Sequence, residues 1–174
     1  GWGMSAYDLS ALSVLIVDDN VHMRLILRQV LRTLGIRKLQ EATDGAEGMA
    51  MLRRSPADIV ITDWEMSPVD GVQFARLLRT AGDSPNPYIP IIMLTAHSEI
   101  YRVHQARDAG VSEYMTKPLS ARMLYGRLVN AVERSRRFIR AESYVGPCRR
   151  RSGRDVRYKG VERRQQQEQE AVAS

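Results

Sequence analysis

The sequence predicts a doubly wound α/β fold, a five-stranded parallel sheet of strand order 2-1-3-4-5 with helices on both faces. Two observations carry this. Five short apolar runs alternate strictly with five segments of helical apolar spacing, the pattern of repeated strand–helix units. Four of those runs end in polar residues able to do chemistry: Asp18-Asp19, Asp63, Thr95 and Lys117. Right-handed crossovers then leave few topologies, and the flavodoxin-like order is the simplest.

Each element has a local reason. Ser13 to Val17 is an apolar run of the kind buried on both sheet faces. Asn20 can cap a helix carrying Leu25, Ile26, Val30, Leu31 and Leu34, and Gly35 stops it. Ile36 to Ala42 reads as a more polar edge strand. Asp44 caps a second helix running to Arg54, and Asp58 to Thr62 is the next buried strand. A loop with Ser67-Pro68 and Asp70-Gly71 leads to a helix through Phe74, Leu77 and Leu78. Pro85 and Pro87 end it by removing donors and restricting the residues before them. Ile89 to Leu94 is a fourth strand ending at Thr95, and Ser98 to Ala109 a helix closed by Gly110. Glu113 to Thr116 is a short fifth strand, and Ser120 caps a last helix expected to end near Arg137.

Composition sets the class. The chain has 174 residues, 44% hydrophobic and 26% charged, enough for one filled core and an extension. No apolar run is long enough for a transmembrane helix, so no membrane insertion is expected. The single cysteine, Cys148, makes no internal disulfide and suits a reducing cytoplasm. Residues 1–10 read as a tag scar and N-terminal lead, 11–138 as the folded domain, and 139–174 as a basic tail. Arg149, Arg150, Arg151, Arg154, Arg157, Lys159, Arg163 and Arg164 face only Asp155 and Glu162 in their window. That window thus carries the net charge of +6.

The polar strand ends fall on the edge where open α/β sheets bind ligands. Three carboxylates there repel one another unless a cation intervenes, and a hard, oxygen-preferring ion such as Mg²⁺ fits. Lys117 adds a second positive group and Thr95 a hydroxyl, so an anion transferred onto Asp63 would find partners for its oxygens. His22, His97 and His104 lack metal-ligand spacing and read as surface or helix residues.

These motifs, Asp18-Asp19, Asp63 in IVITDWEM, Thr95-Ala96 in IIMLTAH and Lys117-Pro118 in YMTKPLS, closely resemble the CheY-like receiver domain of two-component signalling. The resemblance covers roughly Leu12 to Arg137. It implies that Asp63 is phosphorylated by a histidine kinase, a phosphotransfer protein or a small phosphodonor. It also implies a Mg²⁺ site completed by Asp18, Asp19 and the Glu65 backbone carbonyl. Thr95 and Lys117 would respond to the phosphoryl group, and Tyr114 stands where such domains place a rotating switch aromatic. A phosphoryl acceptor of this kind is not an enzyme acting on an external substrate, although slow self-dephosphorylation is expected. Two departures are Pro68, one place later than usual, and Glu65, whose side chain bears on phosphoryl lifetime or on the metal.

The tail repeats Tyr-x-Gly-x-x-Arg-Arg, first as Tyr144 to Arg150 and again as Tyr158 to Arg164. Arginine pairs beside aromatics suit guanine, through bidentate bonds, stacking and phosphate pairing. A duplicated half-site suits cyclic di-GMP, a ligand with two guanines and two phosphates. The arrangement resembles the Cle family of CheY-like proteins, whose arginine-rich extensions bind cyclic di-GMP and which act at the flagellar motor. It implies ligand contacts from Arg149, Arg150, Arg151, Arg163 and Arg164, with Tyr144 and Tyr158 stacking and Arg154 nearby, in a tail ordered on binding. It further implies a motor switch protein as partner and recruitment from the cytoplasm to the flagellated pole. Two other readings stand beside it: a phosphorelay receiver whose basic tail binds nucleic acid or anionic membrane, and a small metal-dependent phosphatase. The tail lacks a helix-turn-helix pattern and an apolar stripe, so neither a nucleic-acid nor a membrane partner is the first expectation.

Overall fold

The computed structural model describes the backbone of residues 8–144 and the side chains of residues 8–137. The chain divides at Glu133 and Arg134 into two units, and the first is the α/β domain. Its elements are β1 (Ser13–Val17), α1 (Val21–Thr33), β2 (Lys38–Ala42), α2 (Gly45–Arg54), β3 (Ile59–Thr62), α3 (Gly71–Thr80), β4 (Ile91–Thr95), α4 (Ile100–Asp108) and β5 (Glu113–Thr116), followed by α5 (Ala121–Tyr144). All strand pairs are parallel and the sheet order is β2-β1-β3-β4-β5, the expected flavodoxin-like topology.

Strand periodicity divides the core in two. Leu15, Val17, Val60, Ile91 and Met93 point to one face, where they pack with Leu52, Phe74, Leu78 and Ala106 of α2, α3 and α4. Val14, Ile16, Ile59, Ile61, Ile92 and Leu94 point to the other, against Leu27, Leu31, Leu124 and Leu128 of α1 and α5. Because both faces are covered, every residue of β3 and β4 is buried.

Capping follows the sequence closely. Asn20 accepts from the N–H groups of His22 and Met23, at 2.9 and 3.1 Å. Asp44 accepts from Glu47, Asp70 forms a capping box with Gln73, and the Ser120 hydroxyl accepts from Met123. Gly35 ends α1 at a φ of +93°, in the left-handed region open to glycine.

Some boundaries shift for identifiable reasons. The strand expected from Ile36 begins at Lys38, because the Ile36 amide closes the end of α1 by bonding to Leu31 O at 3.0 Å. The strand expected from Ile89 begins at Ile91. Pro90 has no N–H to give a ladder, although its carbonyl accepts from Val60. Ser98 does not start α4; the N-cap is Glu99, without a side-chain cap bond. The last helix passes Arg137 and runs to Tyr144. Good helix formers continue through Arg140, Ala141 and Glu142, and the breakers Gly146-Pro147 come only later in the sequence.

Arg79 fastens three segments. Its Nε and Nη2 donate to Gly110 O at 3.1 and 2.9 Å, and its Nη1 donates to Pro87 O at 3.0 Å. Burial lowers the guanidinium pKa to about 10, and the fixed fork geometry matches the two carbonyls. Arg79→Met leaves both carbonyls without this charged donor. It should cost about 2–3 kcal/mol in urea unfolding, and an unchanged midpoint would show that water replaces the guanidinium freely.

Candidate functional site

Strand register builds the site. Val17 of β1 pairs with Thr62 of β3, so the next residues, Asp18 and Asp63, leave the sheet side by side. The Asp63 amide donates to Val17 O at 2.9 Å. At the other end of the edge Thr95 of β4 pairs with Thr116 of β5, which brings Lys117 into line. The Lys117 amide donates to Thr95 O at 2.8 Å.

The expected residues converge. Carboxylate oxygens of Asp18, Asp19 and Asp63 lie within 4.8 Å of one another. The Lys117 ammonium stands 3.4 Å from Asp63 Oδ2 and 3.8 Å from Asp18 Oδ2. Asp63 Oδ1 accepts from the Trp64 amide at 2.7 Å, and Asp18 Oδ1 accepts from the Asn20 amide at 2.9 Å. Asp18 is buried, Asp19 exposed, and the Asp63 side chain 12% exposed, so the Asp63 carboxylate can be reached from solvent. Thr95 is buried, and its hydroxyl oxygen accepts from the His97 amide at 3.3 Å.

Close packing fixes Asp63 from behind. A Cβ on Gly71 would come within 2.0 Å of Asp63 O, while the Gly71 amide donates to Trp64 O at 2.7 Å. The first turn of α3 can lie against the end of β3 only with glycine there. The Ser67-Pro68 and Lys117-Pro118 peptide bonds beside the site are both cis.

Burial pushes the Asp18 carboxyl up to about 6, with the neighbouring Asp63 charge adding to the effect and the Asn20 N–H opposing it. Burial also raises Asp63, against the pull of Lys117. A donor set of three crowded, hard carboxylates suits a divalent ion that prefers oxygen ligands, and the residues present fit Mg²⁺. Glu65, whose backbone carbonyl is the further expected ligand, turns its side chain elsewhere: Oε1 lies 2.6 Å from His97 Nε2 and 3.9 Å from Arg102 Nη1.

The Tyr114 side chain is held at both ends. Its half-buried ring packs against the core, and its hydroxyl donates to His97 O at 2.6 Å. Burial raises its pKa. His97, expected as a surface or helix residue, lies half-buried in the loop after β4 and is well engaged. Besides Glu65 it meets the Trp64 ring edge-on at 6.0 Å, and Arg102 lies over that ring at 5.0 Å. The available signal was its place two residues after Thr95, matching Glu65 two after Asp63. Tyr144 is the last residue of α5. Arg149, Arg150, Arg151, Arg154, Tyr158, Arg163 and Arg164 lie outside the described residues. Among the described residues no helix is long and apolar enough to cross a membrane.

The response regulator receiver domain family model matches residues 14–129. The chain belongs to that family. It is 36% identical over 123 residues to the chemotaxis protein CheY-3 of Vibrio cholerae, covering 71% of this chain and 93% of the relative. It is 34% identical over 123 residues to the chemotaxis protein CheY of Pseudomonas aeruginosa, covering 71% and 98%. Among solved structures it resembles Vibrio cholerae CheY4, with a TM-score of 0.63, 26% identity and coverage of 70% and 99%. A receiver domain of a Pseudomonas aeruginosa sensor histidine kinase, solved with magnesium in its active-site cleft, gives the same TM-score and identity and coverage of 70% and 98%.

Raised carboxyl pKa values fix the sign of a pH effect. The folded receiver retains protons on this site at pH values where the unfolded chain has released them. For Asp18 this contribution to stability is therefore complete below about 4 and is lost as pH rises through about 6; neutralising Asp63 also removes a charge that raises Asp18. Asp63→Asn should raise the metal-free Tm at pH 7 by about 3–6 °C, and the gain should shrink towards pH 4. A variant less stable than wild type at pH 7 would show that the Lys117 pairing outweighs desolvation.

Proposed function

We propose that this receiver is a single-domain response regulator in which Asp63 takes a phosphoryl group and a protein partner reads the change. The carrying observation is an accessible carboxylate set between two further carboxylates and an ammonium group. One Asp63 oxygen forms the new P–O bond as the donor's P–N bond, from a kinase or phosphotransfer-protein histidine, breaks and the departing imidazole keeps the electron pair. Asp18, Asp19, Asp63 and the Glu65 backbone carbonyl would hold Mg²⁺, which when bound offsets charge on the phosphoryl oxygens. Lys117 supplies a second positive charge to those oxygens, and the Thr95 hydroxyl donates a hydrogen bond to one of them. Tyr114 would act as the switch by leaving its bond to His97 O.

The chemotaxis names of the relatives support an output at a flagellar motor switch protein, reached from the cytoplasm or at the flagellated pole. The duplicated Tyr-x-Gly-x-x-Arg-Arg segments support cyclic di-GMP as a second input, through Tyr144, Arg149, Arg150, Arg151, Arg154, Tyr158, Arg163 and Arg164. Arginine presents a fork that can address guanine edges and phosphates alike.

Two experiments separate these inputs. A small acyl phosphate with Mg²⁺ should phosphorylate the full chain at one site, seen by intact mass. Asp63→Asn and omission of Mg²⁺ should each abolish the added mass, and labelling that survives Asp63→Asn would place the acceptor elsewhere.

Calorimetric titration of cyclic di-GMP at physiological salt should give micromolar or tighter binding. GTP should not match it, and Arg149→Ala/Arg150→Ala should lose it. Equal binding of cyclic di-GMP, GTP and short DNA, falling steeply with salt, would favour a non-specific polybasic tail.

A further inference from the structure

Arg24, on the first turns of α1, is absorbed neither by the core nor by the phosphoryl chemistry. Its Nη1 donates to the backbone carbonyl of Asp18 at 2.7 Å, and its Nε lies 3.3 Å from Glu41 Oε1. Arg28 bonds the other oxygen of the same carboxylate. The Arg24 side chain is only 16% exposed and that of Glu41 25%.

The bonded carbonyl belongs to the planar peptide joining Asp18 to Asp19, the two acids expected to ligate the cation. Because that unit is rigid, fixing its oxygen limits how the two residues turn relative to each other. Edge strand β2 grips the other side of Asp18 as well, since the Asp18 amide donates to Ala42 O at 3.0 Å. Glu41 and Ala42 are consecutive. One residue of β2 thus holds the amide directly, and its neighbour holds the carbonyl through Arg24. A guanidinium near a cation site is repulsive unless offset, and Glu41 offsets part of its charge while holding the fork in place.

We infer that Arg24, braced by Glu41, is a positioning residue that pre-sets the Asp18-Asp19 pair for a divalent cation. This deepens the reading of the acidic pocket as a Mg²⁺ site and rests on it. Groups that orient metal ligands characteristically carry about tenfold or more in metal affinity.

Mg²⁺ alone, titrated calorimetrically into the full chain, is the test. Arg24→Met should raise the Mg²⁺ Kd by roughly tenfold, and Glu41→Gln should shift it in the same direction. Arg24→Lys can reach the carbonyl but not span both partners, so it should fall between; it also serves if Arg24→Met does not fold. Urea unfolding without Mg²⁺ separates affinity from stability. A variant that loses stability yet keeps the wild-type Kd would overturn the positioning role and leave Arg24 as a fold contact. Absence of Mg²⁺ binding by the wild-type chain would instead overturn the reading of the pocket itself.

Discussion

Negative charge withdrawn from water and crowded at one sheet edge is the constraint around which this receiver is organised. Three carboxylates within 4.8 Å are far from a stability optimum. Burial raises the carboxyl pKa of two of them, and one ammonium, Lys117, serves both. Such a cluster persists only where the surrounding structure over-determines it. Parallel pairing of β1 with β3 places Asp18 beside Asp63, and both strands are locked by apolar layers on their two faces. The same charge, only partly offset by Lys117, makes the edge receptive to a cation. The cost to the fold and the capacity for chemistry have one origin.

Rigidity around the cluster is supplied by small, local devices. The Asn20 cap fixes where α1 begins, Gly71 lets α3 touch the back of Asp63, and the Asp18 amide is tied to Ala42 on the edge strand. None is strong alone, since a cap or a single hydrogen bond contributes about 1 kcal/mol. Together they leave the carboxylates little room to relax apart. Close approach to a backbone carbonyl is why Gly71 matters, and not any need for unusual dihedral angles.

Much of this was legible from the sequence because the features involved are local. Alternating apolar runs and capping residues gave the order of elements, and the polar residues at the ends of four strands gave the pocket. What escaped was set by neighbours distant along the chain. Ile36 and Ile89 look like strand residues by composition, yet the end of a helix and a turn to Asn86 O claim their amides. Arg24 reads as an ordinary helix residue, although a basic residue near a helix N-terminus runs against the macrodipole and hints at another employer. Its bond to Asp18 O depends on a long side chain folding back over a turn, which residue spacing does not reveal. The His97–Glu65 contact likewise joins two loops 32 residues apart.

His97 gives the β4–α4 loop a connected structure. From Asp63 the path passes to the Trp64 amide, across the Trp64 ring to His97, and through the His97 carbonyl to the Tyr114 hydroxyl. Contiguity alone does not make an allosteric path; a second arrangement favoured by phosphorylation is also required. A switch role for Tyr114 therefore demands that the bond to His97 O be exchangeable. That demand is reasonable on energetic grounds. The bond is a neutral one, worth about 1 kcal/mol net, and the ring is half-buried and not locked in the core. A phosphoryl group need bias the loop by only a few kcal/mol to reverse such a balance. By contrast Phe74, fully buried between α2 and α3, could not move without opening a cavity. Partial burial and one modest hydrogen bond at Tyr114 are the properties that the proposed switch role requires.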